Sequence, residues 1–195
     1  MYDVKKKLDV KLYYDSFAQV YDRRYQELQL VKYKVALSLI EGKRVDFSLT
    51  GDIGCGTGNL CVLLSRAAAR VIGVDISIGM LKIAKRKVKG FKKILLICAD
   101  ADFLPFRDDV FPTIFSITLL QNMPSPRKTL IEIRRICKNR AHLIASVLRK
   151  KINREELIST LEKVNIKIDG IIDAIQIEDI LFFTQIQKHG CSNNF

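Results

Sequence analysis

Apolar and polar positions along the chain fall into blocks whose period switches between helical and strand-like. In the first of them Tyr14, Phe17, Val20, Tyr21 and Tyr25 recur at three- and four-residue spacing, which predicts a helix. A second helix is predicted over 28–40, stopping near Gly42. From there the blocks alternate. Strands are predicted over 45–53, 71–74, 94–98, 113–118 and 142–148, and helices over 60–69, 78–88, 127–137 and 154–164. Two further strands, 166–172 and 180–187, are predicted around a short acidic turn. Short, wholly apolar strands alternating with helices imply a parallel sheet covered on both faces. Two terminal strands with no helix between them must pair antiparallel. The expectation is an α/β fold with a doubly wound, seven-stranded, mostly parallel sheet and an antiparallel C-terminal hairpin. Residues 1–195 are read as one domain, with helices over 1–42 and a core over 43–195.

Composition narrows the classes. The 195 residues carry 33 basic and 21 acidic side chains, a net charge of +12. Such a surplus attracts polyanions, although lysine-rich helix faces are also common as plain solvated surface. No apolar run reaches the ~18 residues of a membrane-spanning helix, and the N-terminus lacks a signal-peptide pattern. The expected setting is cytoplasmic, with no membrane among the partners. Cys55, Cys61, Cys98, Cys137 and Cys191 are scattered without a C-x-x-C pair, and His142 and His189 are the only histidines. Reduced cysteines, no metal site and no Ser-His-Asp triad are therefore expected.

Three segments carry candidate chemistry. In Asp52-Ile53-Gly54-Cys55-Gly56-Thr57-Gly58-Asn59 a strand ends and a helix opens. Its glycines permit a tight turn and close approach of a ligand to the backbone. Asp52 is expected to point its carboxylate into the crevice toward a cationic group. The G-x-G-x-G spacing differs from the G-x-G-x-x-G of dinucleotide binders. Asp75 ends the next strand, where an acid can accept both hydroxyls of a ribose; alone it would read as a helix N-cap. After the third strand, Asp100 is placed to accept from an adenine amino group, with the Ala101 N–H reaching a ring nitrogen. Leu104, Pro105 and Phe106 would form an apolar wall.

In order and spacing, DIGCGTGN, GVDIS with Met80 following, and ADADFLPF resemble the class I S-adenosylmethionine-dependent methyltransferases. The subgroup most similar includes quinone-biosynthesis and tRNA wobble-uridine methyltransferases, over residues 13–148. The resemblance implies a Rossmann-like fold and S-adenosyl-L-methionine as cofactor. It places Asp52, Gly54, Cys55, Gly56 and Gly58 around the methionine part, and Asp75 and Ile76 on the ribose. Met80 would lie against the adenine, and Asp100 and Ala101 along its edge. Thr118, closing the fourth strand, joins this set. The Phe17 to Tyr21-Asp22 segment is similar to a lid helix, with Tyr14 and Tyr21 facing the cofactor. Departures are Pro112 before the fourth strand, Lys138-Asn139-Arg140 after the fourth helix, and Gly51 before Asp52, which is expected to loosen its strand.

The acceptor side is less explicit. Gln121 and Asn122, after the fourth strand, are weak candidates for orienting a substrate, as is Tyr14; loop capping is the plainer reading of the first two. Methyl transfer needs an aligned, desolvated nucleophile more than a strong base, and no general base stands out. Lys5, Lys6, Lys7, Lys11, Arg127, Lys128, Arg149, Lys150 and Lys151 are expected to form a basic rim around the mouth. That rim favours tRNA, rRNA or a ribosomal or other translation protein as substrate. The run Lys82 to Lys93 is read as largely solvated. Family analogy adds a small zinc-binding activator protein as a partner. The alternatives are a methyltransferase for a quinone-like small molecule, which an exposed apolar helix would favour, and a non-catalytic nucleoside- or partner-binding module. A nicotinamide dehydrogenase is disfavoured by the glycine spacing.

Overall fold

Residues 2–41 contain neither glycine nor proline, so nothing interrupts a helix once it starts. They form one continuous helix, α1 (Tyr2–Ser38), where two were expected. The computed structural model describes residues 2–174 and 177–188. His189, Cys191 and part of the expected acidic turn lie outside the described residues.

After α1 the elements are β1 (Thr50–Ile53), α2 (Asn59–Leu64), β2 (Val71–Asp75), α3 (Ile78–Lys87), β3 (Ile94–Cys98) and β4 (Phe111–Ile117). A 3-10 turn at Leu120–Asn122 leads to α4 (Pro126–Ile136), β5 (Cys137–Leu148), α5 (Arg154–Glu162), β6 (Gly170–Ala174) and β7 (Asp179–Gln185). The strand order is β3-β2-β1-β4-β5-β7-β6, with β7 antiparallel to both neighbours and the other pairings parallel. The expected doubly wound sheet and terminal hairpin are both present. The chain winds outward from β1 to β3 and then crosses back to β4. The sheet therefore splits between β1 and β4, where such folds open a crevice at the strand C-termini.

Local chemistry explains the boundary differences. β1 starts at Thr50 rather than 45 because Asp46 folds its side chain onto the Ser48 N–H at 2.8 Å, a turn that ends regular pairing. β4 shifts register between Phe111 and Thr113, since Pro112 has no N–H for the ladder. Gly51 does not loosen β1: a Cβ there would stand 3.3 Å from the Phe111 ring, so the glycine makes room for that ring. Two apolar layers cover the sheet. Ile53, Ile114, Leu143 and Phe182 pack with α4 and α5 on one face. Phe115, Ile144 and Leu181 pack with α1 and α2 on the other. Among the described residues no helix is long and apolar enough to cross a membrane.

Candidate functional site

The C-terminal ends of β1, β2 and β4 and the loop after β3 face α1 across a cavity, at the place where folds of this kind bind small ligands. The glycine loop forms its floor. Gly54 N and Cys55 N both donate to Val74 O, at 2.8 and 2.9 Å, and Gly58 N closes the turn on Cys55 O at 2.9 Å. Gly56 has φ +53°, and nothing lies within 4 Å of where its Cβ would stand. A side chain there would fill the cradle a ligand needs. Gly54, Cys55, Gly56 and Thr57 all line the cavity.

Asp75, at the end of β2, also lines it. Its Oδ2 accepts from Gly56 N and its Oδ1 from Ser77 N, both at 2.8 Å. Burial raises its pKa against these donors. Each oxygen keeps a second lone pair, and a pair of ribose hydroxyls supplies donors of the matching kind. Ile76, Met80, Asp100, Ala101, Thr118, Tyr14, Tyr21 and Asn122 are brought to the same cavity. The glycine cradle and the half-buried Asp75 fit an adenosyl ligand.

Two expected ligands are not there. Asp52 does not line the cavity. Strand alternation turns it to the α2 face beside Phe115, where Cys61 Sγ–H donates to its Oδ2 at 3.1 Å. Burial without a cation pushes its pKa up to about 7. Gly58 caps α2 at φ +79°, and its missing Cβ admits Ala84, which a Cβ would meet at 3.0 Å. Its role is helix packing. Gln121 is likewise outside the cavity: its amide donates to Thr118 O at 2.6 Å, the loop-capping role.

The lid is held by a row of polar latches that sequence reasoning did not find. Lys7 bridges Asp100 at 2.7 Å and Asp102 at 2.6 Å. Asp15 accepts from Ser77 Oγ and Gly79 N, both at 2.7 Å, capping α3 from outside. Partial burial opposes its charge, but these donors and Lys11 outweigh it and hold its pKa at about 2. Asp22 pairs with Lys87 at 2.5 Å and accepts from Thr57 Oγ1 at 2.6 Å. Lys32 reaches Asp179 of β7 at 2.7 Å, both buried. Thr118 sits beside this pair at φ +62°, rare for a β-branched residue. Its Oγ1 donates to Asp179 Oδ2 at 3.2 Å. Positions 7, 15, 22 and 32 fall within an arc of about 100° of one helix, a shared face visible in the sequence only once the helix is known to be continuous.

On the acceptor side, Asn122 Nδ2 donates to Tyr14 Oη at 3.1 Å and to Thr118 O at 3.2 Å. Burial raises the Tyr14 pKa, with the Asn122 hydrogen bond opposing. Val10, Ile117, Leu119 and Met123 complete the wall. Five of the nine cations of the expected basic rim are paired: Lys7 as above, Lys11 with Asp15, Lys128 with Asp3, Arg149 with Asp173 and Lys150 with Glu178.

A sheet of this order with a glycine-floored crevice and an acid at the end of β2 defines a nucleoside-binding α/β protein. Residues 51–145 match the family described as methyltransferase domain. An uncharacterised protein of Methanocaldococcus jannaschii is 34% identical over 146 residues, covering 75% of this chain and 54% of that one. The demethylmenaquinone methyltransferase of Clavibacter sepedonicus is 31% identical over 141 residues, covering 69% and 56%. The chain thus spans about half the length of the curated relatives it matches. Among solved structures, the complex between the Haloferax volcanii Trm112 methyltransferase activator and a putative methyltransferase matches with TM-score 0.77 and 18% identity, covering 92% of this chain and 98% of that one. Residues 51–145 are thus a methyltransferase domain, and the fold is that of solved S-adenosylmethionine-dependent methyltransferases.

Proposed function

We propose that the chain transfers a methyl group from S-adenosylmethionine to a small, ring-shaped, lipid-soluble acceptor of the quinol kind. The observation that carries this reading is the acceptor wall: apolar Val10, Ile117, Leu119 and Met123 around the linked hydroxyl and amide of Tyr14 and Asn122. The names of the demethylmenaquinone methyltransferase relatives support it. S-adenosylmethionine supplies an electrophilic methyl carbon. In this reading Gly54, Cys55 and Gly56 hold its methionine part by backbone groups. Asp75 and Ile76 hold the ribose, and Met80, Asp100 and Ala101 the adenine. Tyr21 and Thr118 close the pocket from the lid and from β4. Asp100 must first exchange its Lys7 partner, so binding and lid movement are linked. Asn122 spends both amide hydrogens on Tyr14 and Thr118, leaving Oδ1 as an acceptor and the Tyr14 hydroxyl proton as a donor. That couple orients a ring hydroxyl, while the lid keeps water from the methyl carbon.

The charge surplus of +12 favours the second reading, transfer to tRNA, rRNA or a translation protein. A small zinc-binding activator belongs to that reading, supported by the neighbour solved with the Trm112 activator. Pairing of the rim cations weighs against it. The test is transfer of a labelled methyl group from S-adenosylmethionine to a reduced demethylated naphthoquinone, against tRNA, rRNA and ribosomal protein. Label on the naphthoquinol, reduced by Tyr14→Phe, supports the first reading. Label on RNA or protein alone refutes it.

A further inference from the structure

The chain from Ile76 to Ala99 contains no acidic residue and seven cations. Four of them, Lys82, Lys85, Arg86 and Lys89, fall at i, i+3, i+4 and i+7, and so share one face of α3 and its end. All four are exposed, while Met80 and Ala84 on the other side are buried. Lys92 and Lys93 continue the patch in the turn to β3. Among the described residues none of these six pairs with a carboxylate, in contrast to Lys87, which turns inward to Asp22. What sets this face apart is the density of cations over a stretch with no acid, which leaves like charges side by side at a cost that an anionic partner removes.

The same face carries large apolar side chains at both ends. Ile78 is 48% exposed where α3 begins, and Phe91 and Leu95 are 41% and 54% exposed where it meets β3. Residues 78–98 include no Ser, Thr, Asn, Gln or Tyr, the uncharged polar side chains that add to Arg and Lys in contacts with sugars and base edges. Cations interleaved only with apolar groups suit a surface that is anionic outside and hydrocarbon just beneath. We propose that the outer face of α3 and the turn into β3 dock the protein onto an anionic lipid bilayer, peripherally, with Phe91 and Leu95 entering the headgroup layer. α3 begins at the cavity, whose lining includes Ile76 and Met80, and runs to the opposite edge of the sheet, so the docked face lies beside the cavity. The proposal departs from the expectation of no membrane partner on the strength of the exposed cations outside the Lys87–Asp22 pair. The inference rests in part on the lipid-soluble acceptor, but its test reads attachment alone.

The full chain is sedimented with vesicles of phosphatidylcholine, and of phosphatidylcholine mixed with phosphatidylglycerol, at low and high salt. A quadruple variant (Lys82→Gln, Lys85→Gln, Arg86→Gln, Lys89→Gln) and Phe91→Ser are run beside it. Calorimetric binding of S-adenosylmethionine checks that each variant is folded. The expected result is sedimentation with the anionic vesicles only, weakened by salt. Partitioning should fall by about three orders of magnitude in the quadruple variant, and several-fold in Phe91→Ser. No sedimentation with phosphatidylglycerol vesicles, or a folded quadruple variant that sediments like the wild type, overturns the proposal. So does retention on homopolymeric RNA through the same four residues without vesicle binding. Failure of methyl transfer to a naphthoquinol leaves it standing.

Discussion

Lys32→Met tests how the lid is fastened to the sheet. Lys32 is 3% exposed, Asp179 is fully buried, and their charged atoms are 2.7 Å apart. Methionine keeps the length and apolar stem of the lysine, so packing changes little. What disappears is the cation facing Asp179, whose other partner is the pair of hydroxyls from Ser146 at 2.8 Å and Thr118 at 3.2 Å. Removing one member of a buried pair strands the other charge and costs about 3–5 kcal/mol. In a domain of this size each kcal/mol moves the midpoint by about 2–4 °C, so Tm should fall by about 6–20 °C. The assay is thermal melting by circular dichroism. In the double variant Lys32→Met/Asp179→Asn the stranded charge is gone and an acceptor for Ser146 remains, so about half of the loss should return. A single variant within about 2 °C of wild type, or a double variant no more stable than the single, refutes the argument.

Gly56→Ala and Gly58→Ala should separate ligand contact from packing. The first has free space and should lower S-adenosylmethionine affinity by tenfold or more in calorimetry with a Tm loss of only about 1 kcal/mol equivalent. The second meets Ala84 and should lose mainly stability; the reverse ranking would contradict the site. Asp52→Asn should stabilise the protein with a particular pH dependence. The folded carboxyl sits at about 7, above its ordinary 3.8, so its contribution is full below pH 3.8 and is lost as pH rises to 7. The advantage of the variant should therefore grow between those values and level off above, with affinity nearly unchanged; a large affinity loss would put Asp52 back in the pocket. Asp15 has the opposite sign: held at about 2, it stabilises above pH 3.8 and loses this as pH falls toward 2. Hydrogen exchange in α1 should accelerate below pH 4 in the wild type and show no such step in Asp15→Asn.

The succession of strands and helices and the place of the crevice were legible because short apolar runs, glycine turns and strand-end acids are local signals. Ile94–Cys98 was placed to the residue, and Asp75 and Asp100 to the cavity. Side-chain aim was not legible where two local signals agree on position but differ in direction. Asp52 and Gly54 are two residues apart, yet one lies under the sheet beside Cys61 and the other lines the cavity. Long-range pairing was invisible for the same reason. Lys7, 93 positions from Asp100, counts in a sequence as rim charge, while in the fold it is half of a latch. The third glycine misled because its spacing fits a ligand loop, whereas only the packed structure shows Ala84 against it.

The latches explain why a β-branched residue tolerates a left-handed backbone in the pocket. Thr118 N donates to Ser146 Oγ at 3.0 Å, and its hydroxyl reaches Asp179. Its carbonyl in turn accepts from both Gln121 and Asn122. A threonine at φ +62° carries strain of order 1–3 kcal/mol, which persists only where neighbours over-determine it. Here the neighbours are the Lys32–Asp179 pair behind and the amide of Asn122 in front. Asn122 hands the constraint to Tyr14 on the lid. The lid is thus tied at Lys32 to the residue whose carbonyl sets the acceptor-side amide, so the fastening of α1 and the orientation of Tyr14 are one mechanical unit. A protein holding only a nucleoside has no need to couple those two ends; one that must align a nucleophile with a methyl carbon does.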